Sequence, residues 1–361
     1  MQNRSRVSTA GLVAVLSLAM GLVGCGSLGP RTLDRDQINY GISIADNWKN
    51  QMLANLVKIR YIDMPVFVDV GQIVAGYSLE TQVNGGLGFS NSLTGGDSQA
   101  IGAAGRYTDR PTITYMPKTG ENFLRSLLEP VNPGTLLSLI AAGYNPEMLF
   151  TWAVESINGI HNFSGLGANS RAADPEYYEF VDLLSAAQQS GAVGFEVKED
   201  SETGQVMVLT LKGRNMAEAD LRKRNRIREL LDLDPEQNEF RVVYSPFRLE
   251  GDVLAIQTRS NLQIMSAMAS FVDVPPDKIA RAAPVSAIAS LPAAIQRPFT
   301  VHTSTEQPKD PFAGFKYNGD WYWIDHEDLS SKRVFTLMLF MTTLTHQGGG
   351  EVAPVLTIPT N

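Results

Sequence analysis

Cysteine is almost missing from this chain: Cys25 is the only one in 361 residues. An internal disulfide is therefore excluded, and so is a zinc site built from paired cysteines. Histidine is scarce as well, with four in the whole chain. Charged residues make up 19%, below the ~25% common in soluble domains. Acidic residues outnumber basic ones, 38 to 30, for a net charge of −8. That balance gives no footprint for nucleic acid, and none is expected as a partner. Signatures of catalysis are missing too: there is no Gly-x-Ser-x-Gly elbow, no Walker A loop and no His-Glu-x-x-His pair. Apolar residues, by contrast, reach 43%, enough to bury a core and to exclude intrinsic disorder.

The amino-terminal stretch carries the strongest signal. Arg4 and Arg6 precede an apolar run over residues 10–23, and no acidic residue occurs before Asp34. The run fits the core of a secretory leader and falls short of the ~18 residues that span a bilayer. It ends in Leu22-Val23-Gly24-Cys25, which resembles the lipobox of bacterial lipoproteins. The resemblance implies cleavage after Gly24, lipidation of the Cys25 sulfur and acylation of the new amino terminus. Three acyl chains would hold the protein stably, where a single chain binds only marginally. The residue after Cys25 is Gly26, not the aspartate that resembles an inner-membrane retention signal, so the outer membrane is the expected destination, with the body facing the periplasm. Residues 1–24 are thus expected to be a cleaved signal peptide and 25–33 a flexible tether.

Beyond the tether, Leu33 to Tyr61 reads as a long amphipathic helix, with Asp34 and Gln37 as a capping pair. Ile38, Ile42, Ala45, Trp48, Met52, Leu56 and Ile59 recur at helical spacing and form one stripe, expected to pack on the protein's own sheet. From Ser78 to Ser90 the chain alternates, with Leu79, Thr81, Val83, Gly85, Leu87 and Phe89 on one face. A second alternating run, Gln99 to Tyr107, puts Ile101, Ala103, Gly105 and Tyr107 together, and residues 92–98 between the runs are turn formers. The pattern predicts a long β-hairpin over 78–107, with Ile113 and Tyr115 extending the return strand.

A helical middle section follows: Asn122–Glu129, Thr135–Ala142 and Pro146–Ile157. Asn162–Ser170 is the expected boundary between two lobes, 34–165 and 166–361. The second lobe reads as mixed helices and antiparallel strands. Helices are expected at Pro175–Gln189, Met216–Leu231, Ser260–Phe271 and Asp328–Leu344. Strands are expected at Gly194–Glu199, Gln205–Leu211, Glu239–Tyr244, Phe299–Thr303, Phe312–Tyr317, Trp321–Ile324 and Pro354–Pro359. Without regular βαβ alternation, the fold class is α+β.

Two blocks, Asn47–Leu53 running on to Lys58–Tyr61 and Trp321–Asp325 running on to Ser331–Arg333, are similar to blocks in a group of uncharacterised proteobacterial lipoproteins. That resemblance implies a shared body and brings no activity with it.

Other clusters are read against their plain structural roles. Asp325-His326-Glu327-Asp328 is more simply a helix cap than a metal site, and no metal or cofactor is expected. The basic run Arg222–Arg228 has acidic neighbours and reads as a solvated face laced with ion pairs. The Trp321-Tyr322-Trp323 alternation directs at least one ring towards solvent or a partner. The expected function is therefore that of a non-enzymatic, outer-membrane-anchored lipoprotein that binds or assembles, with Cys25 its only assigned site and the membrane its partner through the lipid. Such a role implies a second copy of the chain or another envelope protein. One alternative is a subunit of an oligomeric outer-membrane pore or export complex that inserts the 78–107 hairpin, whose arms meet the ~9–11 residues a membrane strand needs. The other is a periplasmic enzyme of unrecognised type, its groups assembled from distant residues.

Overall fold

A computed structural model of the chain describes residues 28–74, 77–88, 98–109, 112–164, 171–200, 204–211, 216–282 and 298–345. The leader expected over 1–24, Cys25, the hairpin tip at 89–97, the boundary loop at 165–170, the turn at 201–203 and the strand expected at Pro354–Pro359 lie outside the described residues. The chain divides into two units, residues 1–49 and residues 50–361.

Helix α1 (Leu28–Arg60) opens the described chain. It starts five residues before Leu33, so it takes in part of the stretch expected as a tether, and Asp34 lies inside it. Pro30 is tolerated there because the first-turn N–H groups have no helical acceptor to lose. The apolar stripe has two fates. Met52 and Leu56 are buried in the core and Ile59 packs against it, whereas Ile38, Ile42, Ala45 and Trp48 are exposed. The expectation of one continuous packed stripe therefore holds only from Met52 onward. The helix closes with Ile62 at φ 62° and Asp63 N–H donating to the Lys58 carbonyl at 2.8 Å, a left-handed cap.

The second unit is α+β, as the lack of regular βαβ alternation implies. Strands β1 (Val68–Val74) and β4 (Thr112–Pro117) pair antiparallel, and so do β2 (Tyr77–Gly88) and β3 (Ser98–Asp109). Helices α2 (Glu121–Leu128), α3 (Pro133–Ala141) and α4 (Pro146–Ala153) follow. Pro146 starts its helix as expected, and Pro133 starts one two residues before Thr135: Asn132 and Asn145 each accept a backbone N–H two residues on, from Gly134 at 2.7 Å and Glu147 at 2.8 Å, with proline at the first helical position. Helix α4 stops at Ala153, not at Ile157. The chain passes directly into β5 (Val154–Ile157), turns at Asn158-Gly159 with both φ positive, and returns as β6 (Ile160–His161). An Asn-Gly pair in that conformation favours a two-residue hairpin turn.

Next come α5 (Pro175–Gln189), β7 (Val193–Asp200), β8 (Gly204–Leu211), α6 (Glu218–Leu231), β9 (Glu239–Tyr244), β10 (Val253–Thr258) and α7 (Asn261–Ala269). Helix α7 carries a full capping box between Ser260 and Gln263. A six-stranded sheet runs β6-β5-β10-β9-β8-β7, antiparallel except for the parallel pair β9–β10. It joins strands from both sides of the boundary expected near residue 165. After a 3₁₀ turn at Pro276–Arg281, strands β11 (His302–Ser304), β12 (Ala313–Tyr317) and β13 (Asp320–Ile324) form a second sheet, ordered β11-β13-β12. Helix α8 (Leu329–Thr345) is capped by Asp328, which accepts from the Ser331 N–H at 3.0 Å and its hydroxyl at 2.6 Å. Val334, Phe335, Leu337, Met338 and Met341 of α8 are buried with Trp152, Leu56 and Phe299 in one continuous core.

Candidate assembly surface

The β1–β4 and β2–β3 pairings are both antiparallel two-stranded ribbons, with Val74 opposite Thr112 in the first and Tyr77 opposite Asp109 in the second. Between Val70 and Gln72 the β1–β4 register shifts by one residue, a bulge. Within β2–β3, Leu79 stands opposite Tyr107, Val83 opposite Ala103 and Gly85 opposite Ile101. Strands β2 and β3 have twelve residues each, about 40 Å at ~3.4 Å per residue.

The base of the β1–β4 ribbon is clipped to helix α1. The Gln51 amide donates to the Val68 carbonyl at 2.8 Å and accepts from its N–H at 3.2 Å. Asn55 treats Val66 in the same way, at 2.9 Å in both directions. The match is geometric: four helical residues rise ~6.0 Å, and two strand residues advance ~6.7 Å. Lys118 on the return arm donates its N–H to the Phe67 carbonyl and pairs with Asp69 at 3.2 Å, while the Phe67 and Phe123 rings meet at 5.2 Å. Above this base every residue of β4 is exposed, including Ile113, Tyr115 and Met116. Both faces of that strand are therefore uncovered, and an isolated two-stranded ribbon is only marginally stable in water.

Asn50 and Tyr61, from the first of the two sequence blocks, reach the sheet that holds the second. Tyr61 and Tyr322 join hydroxyl to hydroxyl at 2.7 Å, and Asn50 Oδ1 accepts the Gly314 N–H at 3.0 Å from the strand beside β13. Burial, and then the bond to Tyr61, pushes the Tyr322 phenol above its ordinary value. Burial lowers the neighbouring Arg60, whose Nε donates to the Val272 carbonyl at 3.4 Å. Lys278 pairs with Asp320 at the end of β13. Tyr322 is buried, while Trp321 and Trp323 are half-buried on the opposite face.

No protein-family model matches the chain, and no curated protein or solved structure does either. The reading of the site thus rests on its own geometry.

The remaining candidates resolve into local structure. Asp325 accepts from the Glu327 N–H at 2.8 Å, and His326 lies against the Phe312 ring. Among the described residues no group of three or more histidine, cysteine, aspartate or glutamate side chains could hold a metal ion. In the basic run, Arg222 pairs with Glu218, Lys223 with Asp220, and Arg226 with both Glu229 and Glu179. A cavity between Trp152, Met268 and Val334 is apolar and hardly larger than a water molecule. No described helix is long and apolar enough to cross a membrane.

One buried ion had no sequence signal at all. Arg259 is 1% exposed, and its Nε donates to Glu155 at 2.7 Å. Its other nitrogens reach the carbonyls of Thr151, Trp152 and Phe163, and the guanidinium lies 4.9 Å from the Phe163 ring centre. It thereby satisfies the carboxyl end of α4, where a cation is favoured. Its contacts are all structural.

Proposed function

We propose that this chain is a lipoprotein held at the periplasmic face of the outer membrane through Cys25, and that it acts by binding or assembly and not by catalysis. The observation that carries the second half is the β1–β4 ribbon: a two-stranded element, clipped at its base by Gln51 and Asn55 and uncovered on both faces at β4. A fold maintains such an element against its marginal stability when something else covers it. The anchor rests on the lipobox-like Leu22–Cys25 and on the lack of any other cysteine. Replacing Cys25 with alanine tests it: the wild type should fractionate with membranes and the variant should be released. Equal fractionation would remove the anchor.

The twelve-residue arms of β2 and β3 favour a second reading within this one, in which several copies insert the 78–107 hairpin to close a barrel. Open edges are not tolerated in lipid, so closure needs a ring of copies. Imaging the lipidated protein in detergent should then show rings, and monomers alone would exclude the pore. Leu87→Asp should abolish insertion if that face meets lipid.

A further inference from the structure

Residues 37–50 of α1 are helical although their composition is poor for it. Gln37-Ile38-Asn39-Tyr40-Gly41-Ile42-Ser43-Ile44-Ala45-Asp46-Asn47-Trp48-Lys49-Asn50 holds few strong helix formers, and Gly41 alone costs about 1 kcal/mol against alanine. A segment of this length is marginal in water without packing. Yet its apolar stripe is bare: Ile38 is 62% exposed, Ile42 56% and Trp48 46%, and a methyl added at Gly41 would meet nothing within 4 Å.

The spacing identifies the kind of cover. In the exposed segment Ile38 and Ala45 lie seven residues apart with Gly41 and Trp48 at the intermediate positions, the spacing of a helix–helix seam; the same spacing runs on to Met52 and Ile59, which the protein's own core covers. A membrane-surface helix would carry lysine and arginine on its polar face. Here that face is Asn39, Ser43 and Asn47, and the two charges of the segment, Asp46 and Lys49, pair with each other at 2.7 Å. Lipid is therefore the poorer occupant. Positions flanking the seam are Gln37, Ile42, Ile44 and the paired Lys49, so identical helices laid side by side meet no like-charge repulsion.

We propose that residues 37–50 of neighbouring copies of this chain pack in parallel along the Ile38–Ala45 stripe. The parallel sense rests on the anchor reading above: Cys25 lies three residues before Leu28, so lipidation would hold every α1 by the same end and keep the copies in register. Confinement to one membrane also raises the effective concentration that so short a seam requires.

Because Cys25 is the sole cysteine, one introduced thiol reports the seam. Ala45→Cys lies on the stripe and Asn47→Cys on the opposite face. Oxidation of full-length protein in native membranes should give a disulfide dimer for Ala45→Cys several-fold above that for Asn47→Cys, and Ile42→Asp added to Ala45→Cys should abolish it. No dimer at residue 45, or equal dimer at both positions, overturns the proposal. A residue-45 thiol shielded from a water-soluble maleimide without forming dimer overturns it in favour of lipid or another protein. The wild type should give no dimer. If it does, the Cys25 sulfur is bare and the anchor reading fails on its own, while dimer in excess of the wild-type level for Ala45→Cys and not for Asn47→Cys still decides the packing.

Discussion

The Asn55 side chain and the Val66 backbone bond to each other as two strand neighbours would, with donor and acceptor satisfied in both directions at 2.9 Å. Asn55 is 1% exposed and its two bonds to the exposed Val66 are part-buried, so water replaces them only in part. Asn55→Leu strands a carbonyl and an N–H at the root of the ribbon. A loss of about 1–3 kcal/mol is expected from the unsatisfied groups. Hydrogen exchange should separate this from general loosening: the amides of Val66 and Lys118 should lose protection while those of β10 keep theirs. Uniform loss across the core would mean that the clip has no special part in seating the ribbon.

Arg259 and Glu155 test a different liability. The arginine is buried with its carboxylate partner and three carbonyls around it. Arg259→Met leaves Glu155 as a charge without its partner and uncaps the end of α4, and removing one member of a buried pair costs roughly 3–5 kcal/mol. The double variant Arg259→Met, Glu155→Met should recover part of that loss, because the orphaned charge is gone. Urea midpoints of the two variants check this, and equal destabilisation of both would show that the carbonyl contacts carry the whole effect.

Arg259 also shows where sequence reading stops. Helix α5 and strand β9 have the bounds their patterns predict, and Asp328 caps α8 as its position implies, because periodicity and capping act over a few residues. Strand β10 escaped: it is a short apolar run at the middle of a sheet, identified only by pairing with β5 and β9 from distant parts of the chain. The hairpin at Asn158-Gly159 did carry a local signal, masked by an apolar stretch that continues unbroken from α4 into β5. Arg259 has no signal of either kind, since its partners lie about a hundred residues away. The split fate of the α1 stripe is equally hidden, because Ile38 and Met52 satisfy the same spacing and differ only in what reaches them.

Ile62 offers a prediction of opposite sign. It sits at φ 62°, a conformation costly for a β-branched residue, and its side chain is 75% exposed. Little packing is lost on replacement, so Ile62→Gly should stabilise the protein by about 1 kcal/mol, the steric relief outweighing the added freedom of the unfolded chain. A rise in Tm is the expected readout. A fall would mean that the isoleucine is held in place by a contact worth more than its strain.

Alkaline pH probes the buried phenols. Burial raises Tyr178 to about 12, and its hydroxyl has no hydrogen-bond partner among the described residues. Tyr177 and Tyr322 are raised further, chiefly by the same cause. In the unfolded chain these groups titrate near ~10. Below that pH both states are neutral and the tyrosines add no slope. As pH rises from ~10 towards 12, only the unfolded state releases its protons, so stability falls with pH. Urea midpoints should be flat with respect to these groups up to about pH 9.5 and decline above it, with tyrosinate absorbance appearing together with unfolding. Tyr178→Phe should leave neutral-pH stability unchanged or slightly raised, since the hydroxyl it removes is unpaired, and should flatten the decline. A variant that declines as steeply as the wild type would assign the alkaline loss to Tyr177 and Tyr322, whose bonds to the Phe150 carbonyl and to Tyr61 tie the core together.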